Sequence, residues 1–336
     1  MKGTNYNPFV NEHFIGFINQ VTPQGVKVHF PSSALLQPFF KYGELYHGGL
    51  VGNYVVIEGH QMGFLGKIQG IELPEKERLE LSEKSFETNE MHPIGYIEIL
   101  LSFSFENPEE IQRGLNTLPP IGAKVFVCAS YFIQSFFKRF GVKKENTAPC
   151  LMKLGVLTQD KTTPVEISLD ALFGRHCAIV GTTGGGKSYT TSKLLEGISN
   201  AKAKAIIIDP TGEYSGFDSK DEYFQSMRLD SFDSIAKECR KYGLFLCLAT
   251  QMPRDIPLGT LSQMGTFLVH RLINHKDKEA VESACSAANK STLAYLPVLG
   301  AGEAILMGVD FPMPVMLKVN LPQTEPNSHT PQFKRL

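Results

Sequence analysis

The sequence predicts an α/β protein in two parts, a small N-terminal β-barrel followed by a P-loop nucleotide-binding domain. Three observations carry this expectation. From Phe14 to about Val156 the chain reads as short apolar runs punctuated by glycine, the pattern of a closed antiparallel sheet. Gly181 to Ser188 spells a complete G-x-x-x-x-G-K-S phosphate loop set between an apolar run and a helical stretch, the flanks that such a loop needs. Beyond it lie further apolar runs that end in polar residues, as do the parallel strands of an open sheet that present ligands at their carboxyl ends.

At 336 residues and 37.2 kDa the chain is long for one compact domain, so a division into 1–157, 158–320 and a tail 321–336 is expected. Its 33 basic and 34 acidic residues leave a net charge of −1. No overall field therefore draws it to nucleic acid, and any such contact is local or built by assembly. The six cysteines form no C-x-x-C pair and several sit in apolar runs, which reads as buried thiols in a reducing cytosol. With no signal-like start and no run approaching about 18 apolar residues, a soluble, cytoplasmic protein without a membrane partner is expected.

In the first part the clearest strands are Ile15–Ile18, Gly25–Phe30, Gly52–Ile57, Gly63–Ile68 and Ala123–Val127. Pro74 to Asn89 is a charged, loop-like insertion. Tyr131 to Phe140 carries aromatics at helical spacing beside Lys138, Arg139, Lys143 and Lys144. It reads as a helix whose aromatics are core and whose cations are solvated, in preference to a nucleic-acid surface. Thr158 to Pro164 is polar and reads as a linker or a hairpin tip.

In the second part His176–Val180 is a buried strand, Gly181–Ser188 the loop and Ser188–Ile198 a helix. Gly181, Thr182, Thr183, Gly184, Gly185 and Gly186 let the backbone N–H groups turn inward on a phosphate, and the helix start adds its positive end. With Lys187 on the β- and γ-phosphates, Ser188 on Mg²⁺ and Tyr189 in the first helical turn, they form the expected ATP site. Ala205–Asp209 is expected to be a second buried strand. It is followed by Glu213, four residues after Asp209, so that Asp209 would serve a metal-bound water and Glu213 a general base. The alternative is an aspartate that caps the turn. A third apolar run, Leu244–Ala249, leads to Gln251, which is placed to sense a γ-phosphate or orient water. Arg240, at a helix end, is a candidate finger or a surface ion-pair partner.

Several of these motifs together resemble the HerA branch of the HerA–FtsK hexameric ATPases. They are the loop Gly181–Ser188, the segment Asp209–Tyr214, the stretch Arg240–Pro253, the strand Leu299–Ile305 and the tail Pro326–Pro331. The resemblance implies a HerA-type barrel and a RecA-like ATPase domain in a homohexameric ring. Such a ring hydrolyses ATP between subunits and moves duplex DNA through its channel, the tail packing on a neighbour. Arg240 would be donated to the adjacent nucleotide, with Arg271 as the alternative. A nuclease or a sirtuin-type NAD-cleaving effector would dock on the barrel, as in end resection or anti-phage defence.

The chain departs from that family at Thr211, where a histidine is usual, and in one larger respect. Only 25 residues separate Tyr214 from Arg240, and they contain no apolar run ending in an acid, so the Walker B strand is missing. Either the natural chain carries a further segment between about Phe217 and Phe232, or Ala205–Asp209 has moved inward with Glu213 as the catalytic acid. A DNA motor and a nucleotide-binding scaffold for an effector both fit the sequence. A small-molecule kinase shares only the loop. Lys276-Asp277-Lys278 and Lys202-Ala203-Lys204 are too short and mixed to decide whether a basic pore exists.

Overall fold

The computed structural model describes residues 7–41, 44–46, 48–75, 77, 91–105, 111–112, 118–143, 146–209, 213–214, 229–288 and 290–327. It divides into two compact units, Met1–Phe136 and Phe137–Leu336.

The first unit is a closed antiparallel barrel. Its strands are β1 (Phe14–Thr22), β2 (Gly25–His29), β5 (Tyr54–Glu58), β6 (Met62–Glu72), β7 (Ile94–Ser104) and β9 (Lys124–Val127), with a small hairpin β3 (Phe39–Lys41) and β4 (Glu44–Tyr46) and a short strand β8 (Ile111–Gln112) added on β7. The ladder runs β2-β1-β9-β5-β6-β7 and closes where Val26 and Val28 of β2 lie opposite Ile97 and Gly95 of β7. Alternation drives this closure. Val26 and Val28 point into a core shared with Ile15, Ile18, Phe30, Val55, Ile57, Ile68 and Ile97, while Lys27 and His29 point away. All five expected strands are present, and β7 is one that the sequence reading did not single out. The aromatic segment forms the helix Ser130–Phe137, and its Phe132 and Phe136 pack on Phe103 of β7 at centroid distances of 5.2 and 6.1 Å. Its aromatics are core. The insertion Pro74–Asn89 lies largely outside the described residues.

The second unit is built on a mixed sheet in the order β11-β10-β16-β15-β14-β12-β13. These strands are β10 (Leu151–Leu157), β11 (Pro164–Ser168), β12 (His176–Val180), β13 (Cys247–Thr250), β14 (Met264–Val269), β15 (Glu303–Gly308) and β16 (Val315–Val319). Thr158–Pro164 is the tip of the β10–β11 hairpin, held where Asp160 accepts from the Thr162 and Thr163 hydroxyls. β12 runs parallel to both β13 and β14, and every residue of β12 and β14 is buried, as expected of strands covered on both faces. On one face the helix Lys187–Asn200 approaches so closely that a Cβ on Gly197 would lie 2.7 Å from Met152 Sδ of β10. On the other, Ala178 and Val180 join Ala236, Leu261, Val281, Leu293 and Leu296 in one core.

Ala205–Asp209 corrects an expectation: it is not a strand. Ile206, Ile207 and Ile208 are 89%, 42% and 53% exposed. An apolar segment takes strand form only where a neighbour completes its hydrogen bonds, and no described strand lies beside this one. β13 is accordingly an edge, with Cys247 and Ala249 exposed. The inward move of Ala205–Asp209 is not what the structure shows.

Candidate nucleotide-binding site

The carboxyl end of β12 delivers the chain into the phosphate loop, which main-chain bonds fix from several sides. Gly181 N–H donates to the Thr250 carbonyl (3.3 Å), Thr182 N–H to Arg271 (2.9 Å), Gly185 N–H to Thr182 (3.1 Å) and Gly302 N–H to the Gly185 carbonyl (2.9 Å). Gly186 caps the helix with φ of 113°, and a Cβ there would meet Gly302 Cα at 2.8 Å. Only glycine combines that backbone with that approach. Lys187, half-buried, donates from Nζ to the Thr182 carbonyl at 3.0 Å and so lies across the loop. Burial pulls its pKa down, and the charge of Glu213 pushes it back up, which places that carboxylate within electrostatic reach of the lysine.

Gln251 follows β13 directly, and its Oε1 accepts from the Thr183 hydroxyl at 2.8 Å. Asp209 accepts from Tyr214 N–H at 2.7 Å. The Tyr214 hydroxyl hydrogen-bonds Thr191 and Ser188 on the helix after the loop, and burial raises its pKa. Ser188, Asp209 and Glu213 thus gather around Tyr214, while 210–212 lie outside the described residues. Their donors are a hydroxyl and two carboxylates, the hard oxygen ligands that Mg²⁺ accepts while keeping waters and phosphate oxygens for the rest of its shell. Tyr189 sits half-buried in the first turn of the helix.

Arg240 is not brought to this loop. Exposed in the turn Cys239–Tyr242, it donates from Nε to the Gly174 carbonyl at 3.2 Å. Gly174 precedes β12, so Arg240 sits at the other end of a five-residue strand, about 16 Å long. Arg271 contributes its carbonyl to the loop, and the residue is otherwise exposed. The tail packs on its own chain as far as it is described. Gln323 and Thr324 N–H groups donate to Glu196 Oε1, and Asn327 N–H donates to the Glu213 carbonyl at 2.6 Å.

Four residues of the site escaped the sequence reading as site residues: Thr190, Tyr214, His270 and Glu303. Only His270 carried a local signal, a polar residue directly after the all-apolar run Phe267–Val269. A second histidine, His176, starts β12. Its Nδ1 accepts from Leu246 N–H at 2.9 Å and its Nε2 donates to the Ala236 carbonyl at 2.9 Å, with burial lowering its pKa.

Residues 152–244 match the family model described as "Helicase HerA, central domain". A probable helicase of Methanocaldococcus jannaschii is 35% identical over 85 residues, which are 25% of this chain and 16% of that protein. The DNA double-strand break repair helicase HerA of Pyrococcus furiosus is 32% identical over 85 residues, 25% of this chain and 15% of that one. The matches thus span well under a fifth of the length of these relatives. Among solved structures, the genome packaging NTPase B204 of Sulfolobus turreted icosahedral virus 2 in complex with sulfate has a TM-score of 0.38 at 15% identity, covering 44% of this chain and 98% of that chain. The pCW3 conjugation coupling protein TcpA has a TM-score of 0.35 at 11% identity, covering 80% and 88%. No helix among the described residues is long and apolar enough to cross a membrane. The matched span holds the phosphate loop, its helix and Arg240, and over this segment the chain is similar to the central domain of HerA helicases.

Proposed function

We propose that this chain binds and hydrolyses ATP as a subunit of a HerA-type ring motor acting on duplex DNA. The observation that carries the proposal is the placement of Lys187 and Gln251 on one phosphate loop, each through a side-chain bond to it. The N–H groups of Gly181–Gly186 and the helix start would take the phosphates, and Lys187 the bridging charge between β and γ. Ser188 and Asp209 would hold Mg²⁺, which supplies charge neutralisation on the phosphate oxygens when bound. Glu213 would accept the proton of the attacking water that Gln251 orients.

Arg240, turned away from its own loop, suits donation to the nucleotide of a neighbour in a homohexamer, with Arg271 as the alternative. Duplex DNA in the channel, a nuclease or sirtuin-type NADase on the barrel, ATP turnover in the second unit and a cytoplasmic setting belong to the same proposal. So does a tail 321–336 reaching a neighbouring subunit, although 328–336 lie outside the described residues. The Pyrococcus relative is called a DNA repair helicase, which supports the choice of DNA.

The bare edge of β13 favours a second reading, a nucleotide-binding scaffold that turns over little. No acid-tipped strand lies beside β13 among the described residues, and Ile206–Ile208 stand exposed. The same edge supports a natural chain with an added segment between about Phe217 and Phe232, most of which falls outside the described residues. An intact mass near 37.2 kDa for the natural protein would sink that idea.

The deciding experiment is ATP hydrolysis by the purified protein with and without duplex DNA, beside Lys187→Ala. Turnover stimulated by DNA and reduced at least about 100-fold by the substitution supports the motor. Tight ATP binding without turnover supports the scaffold.

A further inference from the structure

His270 is fully buried at the end of β14, behind the phosphate loop. Its Nδ1 lies 2.9 Å from the Glu303 carbonyl and its Nε2 lies 3.0 Å from the Thr190 hydroxyl. A carbonyl only accepts, so Nδ1 carries the proton and donates, and Nε2 accepts from Thr190. The ring therefore joins the helix after the loop to the turn that opens β15. Burial holds its pKa down to about 4, with the charge of Lys187 acting the same way against the pull of the Glu303 and Gly185 carbonyls, so the imidazole is neutral at ordinary pH.

The same side chain fills the space that the loop glycines leave. A Cβ on Gly181 would lie 2.5 Å from His270 Cβ, one on Gly185 3.3 Å from it, and one on Gly186 3.3 Å from His270 Cε1. Gly302 closes the other side, bonding the Gly185 carbonyl from its N–H at 2.9 Å. The turn that carries Gly302 is itself pinned, since Glu303 Oε2 accepts from Gly300 N–H at 2.7 Å and Lys318 Nζ donates to the Ala301 carbonyl.

We propose that His270 is a positioning residue for nucleotide binding: by bridging Thr190 and Glu303 it clamps Gly185 and Gly186 against the Gly300–Glu303 turn and holds the loop's N–H groups in phosphate-binding geometry. The proposal rests on the reading of this loop as an ATP site. It also makes a claim about the loop without nucleotide, which lets the two be tested apart. A preorganised cradle binds more tightly than one that must be ordered by its ligand, and losing a buried hydrogen bond of this kind corresponds to about a tenfold change in affinity.

The experiment measures amide hydrogen exchange of the nucleotide-free protein together with ATP affinity by titration, for Thr190→Val, Thr190→Ser and His270→Ala. Thr190→Val keeps the shape and removes the hydroxyl; Thr190→Ser restores it. The expected result is faster exchange over 181–188 and 300–303, with the barrel amides unchanged, and about tenfold weaker ATP binding in Thr190→Val and His270→Ala, both recovered in Thr190→Ser. Unchanged exchange and affinity in Thr190→Val would overturn the proposal, as would a loss that Thr190→Ser fails to recover. If exchange changes as expected while the unsubstituted protein binds no ATP, the clamp stands and the ATP reading falls.

Discussion

The barrel and the second sheet treat their edges in opposite ways. In the barrel each of the six strands has a neighbour on both sides, because β2 pairs with β7 as well as β1. Among the described residues the second sheet ends at β13, which is bonded through β12 alone and exposes Cys247 and Ala249; Ile206–Ile208 are exposed as well. A closed ring leaves no unpaired row of N–H and C=O groups, whereas an edge invites another strand. The difference teaches where each unit is complete. The barrel satisfies itself, whereas the nucleotide site lies next to a strand that is paired on one side among the described residues.

The largest expected effect tests the self-sufficient unit. Phe103 is 1% exposed and packs on Phe9, Phe132 and Phe136. Phe103→Ala should cost about 3–5 kcal/mol of stability by leaving a cavity that a closed sheet cannot collapse onto. Urea unfolding followed by barrel-specific probes measures it. A loss below about 1 kcal/mol would mean that the ring opens and repacks, and the contrast with the second sheet would weaken.

Acid and alkali should then separate the units. The folded pKa of His270 is lowered from 6.5 to about 4, and that of His176 is lowered as well. As pH falls through this window the unfolded chain takes up protons that the folded chain refuses, so stability is full above about 6.5 and is lost toward 4. For His270 the loss is about 3 kcal/mol. In the barrel, burial lowers Lys67 from 10.5 to about 8, with Glu98 opposing. There the folded chain again holds fewer protons, so stability rises between pH 8 and 10.5. Melting measured from pH 7 to 5 should weaken the second unit, and His270→Asn should flatten that slope. Equal acid sensitivity in His270→Asn and the unsubstituted protein would count against the assignment.

What the sequence revealed follows the same division. Five barrel strands were legible because alternation and glycine turns are local signals. β7 was not, because its pairing with β6 skips a residue between Ile99 and Leu101, and that bulge breaks the two-residue period along β7. The phosphate loop was legible because its geometry is encoded in eight consecutive residues. The partners of His270 were hidden because Thr190 and Glu303 lie 80 and 33 positions away. Ala205–Asp209 misled for the converse reason. Its composition is that of a buried strand, but a strand also needs a neighbour, and composition does not report one.

The smallest expected effect bears most directly on the bare edge. If β13 and Ile206–Ile208 are open in solution as they are in the structure, Ile206→Ser removes little burial and should change unfolding stability by less than about 0.5 kcal/mol. Cys247 should then react with a thiol reagent faster than Cys285, which is 4% exposed. A loss near 2 kcal/mol in Ile206→Ser, together with protection of Cys247, would show the edge covered, since burying an isoleucine is worth about that much. The two readouts need not move together. Protection of Cys247 only when subunits assemble would assign the cover to a neighbouring chain. Protection in the isolated subunit would assign it to this chain's own segment, and the apparent incompleteness of the second sheet would end there.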